Sequence, residues 1–150
     1  MKKAVLLLAM VALTFGMNAQ CNIRSSSSMS GKTTESIYVG TVGQGVSFHK
    51  VTEKTGESVT YMSLDTRSTY LASPSNEVKL YFEDESSLKL SKEVSYDSGT
   101  GSYWNYSSFI RLTPSLKDKL LKTPLIGFEL YIFEQSVDGV KVISALNCLQ

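Results

Sequence analysis

The chain has 150 residues, 42% hydrophobic, 19% charged and 10% aromatic, with a formal net charge of +1, two cysteines and one histidine. That length fits one domain, the apolar fraction excludes a wholly disordered chain, and the balanced charge speaks against nucleic acid as a partner. Two cysteines cannot build a disulfide-dense miniature scaffold and one histidine rules out multi-histidine metal centres, so neither metal nor cofactor is expected.

Residues 1–19 read as an export signal peptide. Lys2 and Lys3 give a positive start, Ala4 to Phe15 an uncharged apolar core, and Ala19 a small residue for cleavage. The core is too short to cross a bilayer, which takes about 20 apolar residues. Without Lys2 and Lys3 the 15 basic residues become 13 against 14 acidic ones, so the mature chain carries about −1. No later stretch is long and apolar enough for a transmembrane helix, and the expected location is periplasmic, cell-surface or secreted. Cys21 invites a second reading as a lipid-bearing N-terminal cysteine, although Asn18 and Gln20 suit that processing poorly. An oxidising compartment and a single available pairing favour a Cys21–Cys148 disulfide instead.

Residues 20–36 are rich in Ser and Thr and read as a flexible leader. Gly31-Lys32-Thr33 resembles the end of a phosphate-binding loop. Ser26 stands where that motif needs glycine, and no buried strand precedes it.

From residue 37 to 150 the pattern is that of a single β-rich domain. Val46 and Phe48 alternate with Ser47 and His49, and Val59 and Tyr61 with Thr60 and Met62. Val78, Leu80 and Phe82 alternate with Lys79, Tyr81 and Glu83, and Leu88 and Leu90 continue the rhythm. Trp104, Tyr106, Ser108, Ile110 and Leu112 form another stripe, and Ile126, Phe128, Leu130 and Ile132 the most apolar one. Half-buried antiparallel strands produce this period of two. One helix is predicted over residues 114–122, capped by Thr113, opened by Pro114 and striped by Leu116, Leu120 and Leu121. Asp138-Gly139 is a two-residue hairpin signal. In 141–149, Val142, Leu146 and Leu149 fit a helix while Val140 to Ile143 fit a strand; a strand followed by a short turn is the expectation. The predicted fold is an antiparallel β-sandwich, or a curved barrel-like sheet, with one docked helix.

Catalytic motifs are scarce, and no catalytic residue is nominated. Asp97-Ser98-Gly99-Thr100 resembles an aspartic-protease loop, and Leu125-Ile126-Gly127 the apolar element that follows it. Their separation is too short for that fold, and a Gly-rich turn between strands accounts for the first motif. His49 has no Gly-x-Ser-x-Gly elbow to serve. Glu83-Asp84-Glu85 lacks the ligand spacing of a calcium loop and reads as a solvated turn. Aromatic residues crowd at Tyr103, Trp104, Tyr106 and Phe109, and alternation divides them between faces. One face is ordinary core packing; on the other, Tyr103 and Phe109 with Tyr81 or Tyr131 would form a flat platform for sugars or a protein.

The signal ending Met-Asn-Ala-Gln and the Ser-rich leader resemble those of exported Bacteroidetes proteins. The order Phe109-Ile110-Arg111-Leu112, Thr113-Pro114, Thr123-Pro124-Leu125-Ile126 and a late Cys is similar to small exported β-proteins of those bacteria. The resemblance implies a β-rich exported domain and carries no activity or site residue with it. The sequence thus points to a non-enzymatic exported domain that binds a protein partner or an envelope glycan. Its rivals are a hydrolase with a carboxylate site near Asp97 or Glu83-Asp84-Glu85, and a lipid-anchored structural component of the envelope.

Overall fold

The computed structural model describes residues 21–41, 43–72 and 76–150, so the predicted signal lies outside the described residues. Ten strands and two helices follow in order: β1 (Arg24–Ser27), β2 (Thr33–Thr41), β3 (Gln44–Thr52), β4 (Ser58–Ser68), β5 (Glu77–Phe82), β6 (Ser87–Ser91), β7 (Ser95–Ser98), β8 (Trp104–Arg111), α1 (Pro114–Lys122), β9 (Leu125–Leu130), β10 (Phe133–Ser136) and α2 (Gly139–Cys148). They form a six-stranded sheet, β1-β2-β3-β4-β8-β7, and a four-stranded sheet, β10-β9-β5-β6, with every pairing antiparallel. The fold is a β-sandwich with two small helices rather than a closed barrel.

Alternation places most of the core where the sequence predicts it. Phe48, Met62, Leu64, Tyr106 and Ile110 project inward from the larger sheet, and Val78, Leu80, Phe82, Phe128 and Leu130 from the smaller. Each such side chain, fully removed from water, contributes about 1.5–3 kcal/mol. Helix α1 has its predicted bounds: Thr113 Oγ1 accepts from the Leu116 amide at 3.3 Å, Leu116 and Leu120 are buried, and Lys119 and Lys122 occupy the last turn.

Four expectations are corrected. The supposed leader is a β-hairpin: Arg24 to Ser27 pair with Thr33 to Ser36, β2 continues along β3, and Gly31 (φ +81°) makes the turn. Polar strands are stable here because their backbones join an existing ladder, and Lys32 adds an ion pair to Glu53 at 2.7 Å. The chain end is helix, not strand. Asp138 accepts from the Lys141 amide at 3.1 Å as the N-cap of α2, and Val142, Ala145 and Leu146 bury one helical face. Gly139 serves close packing, because a Cβ there would lie 2.6 Å from Pro124 Cβ. The expected hairpin instead turns at Tyr131-Ile132, between the partners Leu130 and Phe133. The Ile126 to Ile132 stripe is broken by a β-bulge opposite Tyr81 and Phe82, which leaves Leu125 buried and Ile126 exposed.

The predicted bridge is present. Cys21 and Cys148 are disulfide-bonded with their Cα atoms 5.8 Å apart, tying the chain ahead of β1 to the end of α2. Among the described residues no helix is long and apolar enough to cross a membrane. Two buried tyrosines lock crossovers. Tyr131 donates to the Val94 carbonyl at 2.7 Å where the chain passes between sheets, and Tyr106 donates to the Tyr70 carbonyl at 2.8 Å while accepting from the Ala72 amide.

Candidate functional site

The outward face of the six-stranded sheet carries an arrangement of side chains that only the strand register brings together. Crossing β2, β3, β4 and β8, one row reads Tyr38, Ser47, Ser63, Phe109. The next reads Gly40, Gly45, Asp65, Ser107. Large residues at the ends of the first row and small ones elsewhere leave a trough of about 510 Å³ over Gly40, Gly45, Ser47, Ser63 and Asp65. Tyr38 and Phe109 are 58% and 62% exposed and form its aromatic walls. The glycine pair is a backbone requirement: Gly45 adopts φ +137°, and a Cβ on it would stand 2.3 Å from the Val39 carbonyl oxygen.

His49 lies between the walls. Its ring centroid is 6.0 Å from Tyr38, edge-on, and 6.0 Å from Phe109, tilted. Its nitrogens each meet a hydroxyl, Nε2 the Ser47 Oγ at 2.9 Å and Nδ1 the Ser36 Oγ at 2.8 Å. Burial lowers its pKa below the usual 6.5, partly offset by the Asp65 carboxylate, so the ring is neutral at pH 7. Asp65 accepts from Ser63 Oγ at 3.1 Å; burial raises its pKa against the opposing pull of that hydrogen bond and of His49. Arg24 stacks on the Tyr38 ring at 5.4 Å. A second depression shares Gly43 and Asp65 with the trough and extends it toward Arg67, Asn105 and Asp97. There Arg67 Nε donates to Asn105 Oδ1, and Asn105 Nδ2 to Asp97 Oδ1, both at 2.9 Å.

The set suits recognition of a polar ligand with apolar faces. Hydroxyls, a neutral imidazole, a carboxylate and an amide offer donors and acceptors between two exposed aromatic rings. A nucleophilic triad is not assembled, because a hydroxyl rather than a carboxylate holds His49 Nδ1. Among the described residues, no group of three or more His, Cys, Asp or Glu side chains is placed to hold a metal.

Of the four aromatic residues predicted to form a platform, only Phe109 lines the trough. Tyr103 is 51% exposed, just ahead of β8, where its carbonyl closes the β7–β8 loop onto Gly99. Tyr81 lies on the other sheet, its hydroxyl donating to Glu129 at 2.6 Å and Lys79 over its ring. Tyr131 is buried. A single platform of these four therefore does not exist. Asp97 and Gly127, the paired elements of the protease resemblance, are on different sheets. Glu83-Asp84-Glu85 is a turn in which Asp84 binds Lys119 at 3.0 Å.

The missed residues are Ser36, Tyr38, Ser47, His49, Ser63 and Asp65. Their signal was a polar or aromatic residue at successive outward positions of three strands; the pairing that aligns them spans four strands and is not written in any one segment. No family model, curated protein or solved structure matches the chain.

Proposed function

We propose that the protein is an exported, non-enzymatic β-sandwich that binds a glycan of the cell envelope or its surroundings in the trough of the six-stranded sheet. One observation carries the reading: two exposed aromatic walls, Tyr38 and Phe109, flank a floor of hydroxyl, imidazole and carboxylate groups. Sugar rings present C–H faces to aromatic rings and hydroxyls to such a floor. Export rests on the residue 1–19 pattern and is supported by the disulfide, which belongs to an oxidising compartment. The bridge also uses the Cys21 sulfur that a lipid thioether would need, which weighs against the anchored alternative.

A glycan array probed with the wild type, Tyr38→Ala and Phe109→Ala tests the proposal. Binding to a defined set of glycans that both variants weaken supports it. An empty array, or variants that bind as the wild type does, refutes it.

One observation favours a second reading, glycan hydrolysis. Asp65 and Asp97 line the same extended depression, and burial keeps the Asp65 proton on to a higher pH than usual, as a general acid needs. Incubating bound oligosaccharide with wild type and Asp65→Asn decides it: product from the wild type alone supports hydrolysis, and intact sugar with both supports simple binding.

A further inference from the structure

A separate groove opens where both sheets leave a strand edge without a partner. β6 is the last strand of the four-stranded sheet. In the six-stranded sheet the β7 ladder ends at Ser95–Ser107, so Ser108 to Arg111 of β8 have a strand neighbour only on the β4 side. The chain between these edges crosses from one sheet to the other at residues 92–94, held by Ser108 Oγ on the Glu93 carbonyl at 2.8 Å. Beyond that crossover lies a space of about 560 Å³. Leu88 and Leu90 of β6 form one wall, with Ile110 and Leu116 among the residues opposite. Leu88 and Leu90 face buried partners Leu80 and Val78 in the register, yet Leu88 is 36% exposed. The apolar layer of the sandwich is thus left open along this edge.

We infer that the groove receives an extended peptide segment of a partner protein, added as a strand beside β6, with alternate apolar side chains in the groove and acidic residues at its flank. Unpaired backbone donors and acceptors on an edge strand are satisfied by another backbone, whereas an acyl chain would leave them dry. The apolar lining takes every second side chain of a strand, which is the spacing of Leu88 and Leu90 themselves. The charge preference comes from the rim. Lys92 and Arg111 are exposed cations at the groove, and no acidic residue lines it. Lys119, also at the rim, is already engaged by Asp84 and Ser86 at 3.0 Å. The site shares no lining residue with the glycan trough and stands independently of it.

The test uses an array of ten-residue synthetic peptides that alternate Val or Ile with Ser or Thr, flanked by Glu or by Gln. The full-length mature protein is probed alongside Lys92→Glu/Arg111→Glu and a dodecanoate competitor. Expected are binding to Glu-flanked members, at least tenfold weaker binding by the double variant, and loss of binding when alternate peptide amides are N-methylated. Thermal unfolding of the double variant at the wild-type temperature shows that the loss is local. Absence of binding to any peptide, indifference to N-methylation, or binding of dodecanoate without peptide would each overturn the inference.

Discussion

The His49 imidazole and the Ser47 hydroxyl meet at 2.9 Å on the outward face of β3, two residues apart on one strand. Strand geometry makes this contact natural, because residues i and i+2 share a face. Its consequence is that a ring which could have been an ordinary surface histidine is held to Ser47, itself nearly inaccessible, and becomes part of the trough.

His49 has a folded pKa below 6.5, because burial disfavours the charged ring. The unfolded chain then binds the proton more readily, so His49 makes stability fall as pH drops from 6.5 through the folded value and leaves it level above 6.5. Asp65 acts in the opposite sense: its raised pKa makes stability rise as pH falls through the folded value toward 3.8. Imidazole resonances followed by NMR are expected to titrate below 6.5, and lower still in Asp65→Asn, which removes the charge that holds the value up. A His49 pKa above 6.5 would contradict the buried placement.

Gly45→Ala is expected to lower stability by about 1–3 kcal/mol, the range for a strained backbone conformation. Its φ of +137° excludes a side chain, and the added Cβ would stand 2.3 Å from the Val39 carbonyl oxygen. Denaturant midpoints measure the loss. Gly56→Ala is the comparison: its φ is also positive, at +89°, but nothing lies near its Cβ. Only the backbone preference is lost there, so the smaller effect is expected.

Replacing both Cys21 and Cys148 by Ser opens a loop with a sequence separation of 127 residues. Chain-entropy arguments give a loss of up to about 5 kcal/mol. Hydrogen exchange in the variant is expected to quicken most in β1 and α2, the elements next to the two cysteines.

Tyr131→Phe leaves the Val94 carbonyl, now bonded at 2.7 Å, without its donor inside the core. The cost is about 1–3 kcal/mol, the penalty of an unsatisfied buried group. Tyr131 also holds φ +60° at the β9–β10 turn, a conformation its packing on Tyr106 at 5.2 Å supports. Tyr131→Gly relieves the backbone but loses both the hydroxyl and the ring, and is expected to be worse than Tyr131→Phe.

Much of the sandwich was legible because burial of one sheet face imposes a period of two, as in Val78, Leu80 and Phe82. Helix α1 was legible because Thr113 and Pro114 are local signals whose partners lie within one turn. Asp138-Gly139 misled for the same reason: an Asp that accepts a backbone hydrogen bond starts a turn or a helix with the same chemistry, and the apolar face of α2 decides between them. The polar segment from Arg24 to Ser36 carries no apolar alternation, since backbone pairing, polar contacts such as Lys32 to Glu53 and the bridge at Cys21 hold it. Phe109 was placed on the correct exposed face, but Tyr38, His49 and Asp65 join it only through the register of four strands.

Whether the ligand sits in the trough is read from NMR titration of the isotope-labelled protein with a glycan that it binds. The largest shifts are expected on Tyr38, His49, Asp65 and Phe109, with His49 side-chain resonances moving alongside the backbone. Shifts centred instead on Tyr103 and the β7–β8 loop, with the four trough residues unmoved, would contradict that placement.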